Sequence, residues 1–399
     1  MNILHISTYL QGGAGKVIQD LAIEQKHRGH SVVVAINGQE YPGYVNYPEY
    51  LKTLNACGVN TIKIDGLFKR DVFLNIDAAR NIHKTLLCYN IDFIHSHAAV
   101  PSLAAILGRS NIGRYIPVIQ TMHGWGINKN HVQDKMDISI LNLIDRIISV
   151  TKSDKELLES KGADNSITVI YNGVEDDVVA RSEKNEGGGN RNGNDSDDRA
   201  CSAEEAKIKK ELFELKKNKV LIGCIGTICK RKNQELILKA LPKLENIAQF
   251  VFIGEDDENI IEGSGAEGIV HYGYLSNANR YISCFDYLIL PSRNEGFSIV
   301  ILESLMNSTP VIVSDLPTFK ECIDDNKHGF IFEDNNENSL VTAIQKAVVV
   351  KHGREPTYRK MQNSCRNEYE NRFTFSKMMK HYDDIYQSLT KFRSSSTNS

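Results

Sequence analysis

The chain has 399 residues, 41% hydrophobic and 24% charged, with a formal charge of −3. That length predicts about two to three domains with ample core, and the slight acidity excludes a general nucleic-acid binder, which would carry a basic excess. The eight cysteines form no C-x-x-C pair, no apolar run approaches the roughly 20 residues of a membrane span, and no secretory signal opens the chain. A reduced, cytoplasmic protein is expected, with peripheral contact at the inner membrane face left open.

The first predicted strand, NILHIS, runs into TYLQGGAGKVIQDLA at residues 8–22. A P-loop fails there because Leu10 and Val17 stand where its first glycine and its Ser or Thr belong, and a G-x-G-x-x-G fingerprint fails at Ile18. What remains is a turn containing Gly12 and Gly13, followed by a helix beginning near Lys16. Such a turn suits an anion over free N–H groups, or a plain tight connection.

Strands HSVVVAI and NTIKI follow, then the helix NIDAARNIHKTLLCYN and the strands IDFIHSH, PVIQTMHG, RIISVT and ITVIYNG. Strands alternating with helices at this spacing predict βαβ units and a mostly parallel sheet. Residues 1–175 form this first domain. Residues 176–216 change character: the stretch is rich in Gly, Asn, Asp and Ser and is read as a low-complexity, disordered insertion. Its Asp195-Ser196-Asp197 matches the D-x-D of metal-dependent sugar transferases, but a metal site belongs at a strand end, so no metal is assigned to it.

Residues 217–374 repeat the pattern with strands KVLIGCIG, QFVFIG, IVHYGYL, YLILPS, PVIVSD and HGFIF. Helices NQELILKALPKL, FSIVILESLMN and NSLVTAIQKAVVV intervene or follow. The α/β fold class is thus two doubly wound Rossmann-like domains facing a cleft, with ligands expected outside the carboxyl ends of the strands.

The most informative stretch is YLILPSRNEGFSIVILESLMN. Glu295 is placed at the N-terminus of a helix starting near Gly296, where a carboxylate is favoured. Glu303 falls two turns on, among Ile301, Leu302 and Leu305, and wants hydroxyl or cationic partners. Two acids at this spacing suit the vicinal hydroxyls of a ribose or a sugar.

The run from Glu295 to Glu303 resembles the E-x7-E signature of retaining glycosyltransferases of family four, which have the GT-B fold. GGAGKVIQDLA is similar to that family's first glycine-rich loop, HSHAAVPSLAA and TMHGW to its acceptor-side segments, VIYNGVE to its hinge and CKRKNQELILKA to its donor-phosphate motif. The resemblance implies that Glu303 holds the ribose hydroxyls and that Glu295, with the Gly296 and Phe297 backbone, contacts the donor sugar. It puts Lys232 on the diphosphate, His123 near the donor sugar, and the Gly12–Gly15 turn over the pyrophosphate or the acceptor. His95, His97, Trp125, Lys129 and Lys135 are the acceptor-side candidates, and a terminal helix at 375–391 is expected to pack back on the first domain.

One departure stands out. The family's arginine after the glycine is replaced here by Thr227, following Gly226, so either Lys230 or Arg231 supplies that charge from the adjacent loop or donor affinity or rate suffers. The resemblance implies a sugar moved with retention from a nucleotide-diphosphate donor, uridine being the default base, to a saccharide or lipid-linked saccharide of the cell surface. No cofactor and no metal are expected, the nucleotide-sugar being a substrate. A nucleotide-sugar epimerase of related fold, or a non-catalytic nucleotide-sugar-binding subunit, are the alternatives.

Overall fold

The structure, a computed structural model, describes residues 1–126, 129–176, 203–216, 219–265 and 268–396, with side chains to residue 389. Two compact units emerge: residues 1–172 with 377–399, and residues 173–376. Asp195-Ser196-Asp197 lies outside the described residues.

The first unit is a seven-stranded parallel sheet in the order β3-β2-β1-β4-β5-β6-β7. Its elements run β1 Asn2–Ile6, α1 Gly12–His27, β2 Ser31–Asn37, α2 Pro48–Ala56, β3 Asn60–Ile64, α3 Val72–Cys88 and β4 Phe93–Ser96. They continue with α4 Ala99–Gly108, β5 Val118–Met122, α5 His131–Leu141, β6 Arg146–Ser149, α6 Lys152–Ser160 and β7 Ile167–Val169. Strands such as SVVVAIN are buried on both faces, as a parallel sheet covered by helices requires. The order reverses between β1 and β4, so the switch point opens past Ile6 and Ser96.

The second unit opens with α7 Ala203–Leu215 and has a six-stranded parallel sheet, β10-β9-β8-β11-β12-β13. Its strands are β8 Val220–Ile225, β9 Ala248–Ile253, β10 Ile269–His271, β11 Tyr287–Leu290, β12 Val311–Ser314 and β13 Gly329–Phe332. Its helices are α8 Glu235–Leu244, α9 Ile260–Ser264, α10 Ile299–Met306, α11 Pro317–Lys320, α12 Glu337–Gly353 and α13 Glu355–Glu368. The reversal falls between β8 and β11. A last helix, α14 Phe375–Ser396, begins at the end of this unit and continues into the first.

Three expectations are corrected. The helix after the first strand starts at Gly12, not near Lys16, so the glycines are its first turn. Gly12 takes φ +55 and Gly13 is exposed, while a Cβ at Gly15 would sit 2.7 Å from the Leu10 carbonyl carbon. The helix after β11 starts at Ile299, so Glu295 is a loop residue and not a helix-capping acid. The segment read as an insertion ends in the helix Ala203–Leu215, because Ile208 and Leu212, one helical turn apart, bury their side chains. Among the described residues no helix is long and apolar enough to cross a membrane.

Candidate functional site

In the second unit, the loops after the two strands flanking the reversal bring two cations of one against a carboxylate of the other. Past β8 the chain turns at Gly226, with φ +128, and runs through Thr227 to Lys232 before α8. The turn passes against Gly254, whose own Cβ would fall 2.2 Å from the Gly226 oxygen. Only glycine fits there, since its φ of +149 also disfavours a side chain.

Past β11 come Ser292 and Glu295. Lys232 Nζ lies 2.8 Å from Glu295 Oε1 and Arg231 Nη1 lies 3.1 Å from the same oxygen. Ser292 Oγ donates to it as well, at 3.2 Å. The two loops are stitched together by Arg293 N–H donating to the Arg231 carbonyl at 3.0 Å and Arg231 Nη1 donating to the Asn294 carbonyl at 2.9 Å. Burial pushes the Glu295 carboxyl up, but Lys232 and Arg231 overcome it and hold the group below its ordinary value. Two cations on one carboxylate leave one positive charge in excess, in a place where Lys232 is only 15% exposed. That arrangement can hold a polyanion with one cation while the carboxylate meets hydroxyls.

The remaining donor-side residues fall around this cluster differently. Phe297 is buried and packs on the Phe373 ring with centroids 5.4 Å apart, so its side chain is structural and only its backbone is available to a ligand. Gly296 is half-buried beside it. Glu303 sits on α10, half-buried, flanked by the buried Leu302 and Ser304. Lys230 is 82% exposed and leans to Glu258, 3.8 Å away.

The first unit presents histidines instead. The register pairs His5 of β1 with His95 of β4. A strand's period of two then puts His97 on the face of His95, and His123 on the face of Thr121. The result is a stack: His5 Nε2 to Gln25 Oε1 at 2.8 Å, His5 Nδ1 to His97 Nε2 at 3.0 Å, and His97 Nδ1 to His123 Nε2 at 3.0 Å. Burial lowers His5 and His123 to about 4 and takes His95 and His97 well below their ordinary value, so all four are neutral at pH 7.

This placement corrects the acceptor-side expectations. His95 is fully buried between Tyr386 and Thr121. His97 has both nitrogens engaged behind His123. Trp125 belongs to the core, with Lys129 Nζ 3.4 Å from its ring centroid. Lys129 also pairs at 2.9 Å with the buried Asp137, which Arg70 grips from the other side. Trp125 and Lys129 therefore fix the loop and offer no open aromatic platform. Lys135 alone of these is exposed.

Residues 11–178 match the family model described as Glycosyltransferase Family 4, and residues 219–349 match that of Glycosyl transferases group 1. The chain belongs to the GT-B glycosyltransferases. It is 24% identical over 97% of its length to an uncharacterised 41.2 kDa protein of the cps region in Klebsiella pneumoniae, covering 100% of that protein. It is 25% identical over 75% of its length to the O-antigen biosynthesis glycosyltransferase WclY of Escherichia coli, covering 79% of it. The fold is shared with Anabaena HepE, solved in complex with UDP, at a TM-score of 0.73 and 14% identity over 97% of this chain and 100% of that one.

Several residues that the structure brings to these clusters have no signature in the sequence. Ser292 and the tie between Arg231 and Glu295 depend on loop geometry that no local pattern encodes. His5 carries a sequence signal, since HIS at 5–7, HSH at 95–97 and TMH at 121–123 put polar rings near the ends of neighbouring strands; Gln25 and Tyr386 stand on helices and carry none.

Proposed function

We propose that this glycosyltransferase moves a sugar with retention from a UDP-sugar to a saccharide or lipid-linked saccharide acceptor in the biosynthesis of O-antigen, lipopolysaccharide or capsule. The observation that carries the reading is the Lys232–Arg231–Glu295 cluster at the reversal point of the second sheet. Its excess positive charge suits a diphosphate and its carboxylate suits sugar hydroxyls. HepE, of the same fold, was solved with UDP, and WclY is named for O-antigen biosynthesis, which supports the donor and the pathway class.

In this reading Lys232, with Arg231, takes the charge that grows on the diphosphate as the bond to the anomeric carbon breaks, a role for which no metal is needed. Glu295 and the Gly296–Phe297 backbone orient the donor sugar, and Glu303 holds the ribose hydroxyls. The acceptor oxygen bonds to the anomeric carbon on the face the phosphate leaves, and its proton passes to a leaving phosphate oxygen. A trapped covalent glycosyl-enzyme would overturn that last step.

The test is donor turnover across UDP- and GDP-sugars with a chelator present, for the wild type and Glu303→Ala. Nucleotide release from one donor, lost in the variant, supports the reading and names the donor. An epimerised sugar returned without transfer replaces it with epimerase chemistry. Tight nucleotide binding without release, once lipid-linked acceptors have been supplied, replaces it with a binding subunit.

A further inference from the structure

Three of the histidines, His5, His97 and His123, are joined end to end, with His95 on a side branch, and the polarity of the chain can be followed from one anchor. Gln25 Nε2 donates to the Tyr386 hydroxyl at 3.0 Å, which turns its Oε1 toward His5. His5 Nε2 must then carry the proton, leaving Nδ1 as an acceptor. His97 Nε2 donates to it and keeps Nδ1 bare, and His123 Nε2 donates to that in turn. His123 Nδ1 is left as a buried acceptor with no partner among the described residues. The side branch agrees: the Tyr386 hydroxyl, having accepted from Gln25, donates to His95 Nδ1 at 2.7 Å, and His95 Nε2 donates to Thr121 Oγ1 at 2.8 Å. All four rings thus carry the Nε2–H form, the one an imidazole side chain favours in water.

Turning the Gln25 amide over reverses every bond and makes His123 Nδ1 a donor. The hydrogen-bond chain therefore has two collective states, and the group that selects between them, Gln25, lies three hydrogen bonds from the bare His123 Nδ1. We propose that Gln25, His5 and His97 are positioning residues that hold His123 as an Nδ1 acceptor for a substrate hydroxyl. A hydroxyl donating to Nδ1 completes a buried atom that otherwise lacks a bond. That the hydroxyl belongs to a sugar rests on the transferase reading; the tautomer does not.

His5, His95 and His97 also bring ring nitrogens within 4.8 Å of one another, a spacing compatible with a metal ion. Each of these rings, however, already has both nitrogens in hydrogen bonds, and a metal would have to break the chain.

The test is a long-range ¹H–¹⁵N spectrum of the full chain labelled at histidine, with His123 assigned from the resonances lost in His123→Asn. An acceptor-type Nδ1 and a protonated Nε2 on His123 are expected. In Gln25→Met, which removes the anchor, both His123 nitrogens should move toward averaged shifts, and Tyr386→Phe should move them the same way. A protonated His123 Nδ1 in the wild type overturns the proposal, and needs no variant to fold. Stoichiometric metal in the purified protein overturns it also, as does a Gln25→Met spectrum unchanged at His123. Where a donor turns over, Gln25→Met should lower kcat/KM on the order of tenfold with UDP affinity unchanged. Absence of turnover in every variant counts against the transferase reading alone.

Discussion

The two units share one sheet plan, yet fill the equivalent place with opposite chemistry. Past the reversal point of the first sheet stand neutral imidazoles in a chain of hydrogen bonds. Past that of the second stand two cations and a carboxylate. A neutral buried chain has direction but little field, so it can orient a hydroxyl without attracting ions. A buried charge cluster has field, so it selects for a charged ligand and must be paired when that ligand is away.

The sharpest test of this contrast is pH. His5 and His123 have folded values near 4 against an ordinary 6.5. The unfolded chain therefore binds more protons between those limits, and stability falls as pH drops below 6.5. Each of the two should cost about 2 kcal/mol by pH 5, together about 4. Glu295 is lowered from 4.5, so its contribution is intact above that value and is lost only as pH falls through its folded value. Thermal unfolding at pH 7.5, 6 and 5 should show a loss that His5→Gln reduces and Glu295→Gln does not. A curve flat from 7.5 to 5 would break the comparison, because the histidines would then be hydrated and chargeable.

Next in size is Lys232→Met. Loss of a preorganised charge at the leaving group should lower kcat roughly 10²–10³-fold. Arg231 remains on Glu295, so unfolding free energy should drop only about 1–3 kcal/mol, less than for a fully orphaned buried charge. If kcat held while stability collapsed, the cluster would be a structural ion pair and not a site.

Much of this was open to reading in the sequence, for reasons that differ by element. Strands such as SVVVAIN and YLIL are short β-branched or aliphatic runs bounded by turn residues, and both sheets follow from them. Helix Ala99–Gly108 was harder: AVPSLAAILG is apolar nearly all round and has no amphipathic period to find. The start of α10 is not legible, because Glu295-Gly296 looks like a capped first turn, whereas the carboxylate is held by Lys232 and Arg231 from another loop. The burial of Trp125 and the inward turn of Lys129 are not legible either, because an aromatic among cations is polar in composition. Asp137, the buried acid that draws Lys129 inward, lies eight residues further on, and only the fold puts it there.

Gly254→Ala tests the backbone side of the charged site. A Cβ would meet the Gly226 carbonyl oxygen at 2.2 Å, and neither partner is a flexible side chain. The turn that carries Thr227 to Lys232 must shift, at about 1–3 kcal/mol of stability, and UDP affinity should weaken by on the order of tenfold for each 1.4 kcal/mol the displaced loop fails to supply. Unchanged affinity by calorimetry would mean that this turn does not meet the nucleotide.

The smallest effects decide which cation stands in for the arginine that Thr227 replaces. Arg231 is bound into the cluster through Glu295 and the Asn294 carbonyl, so its charge is held where a diphosphate would be felt. Lys230 extends into solvent toward Glu258 at 3.8 Å, a surface pair worth little and easily screened. Arg231→Ala should therefore weaken UDP binding by about tenfold, the scale of one charge-assisted hydrogen bond. Lys230→Ala should change it by less than about twofold, within the range of surface substitutions. Equal losses would show that the loop's overall charge attracts the donor; a larger loss at Lys230 would require the loop to rearrange on binding, with Lys230 leaving Glu258 for the phosphate.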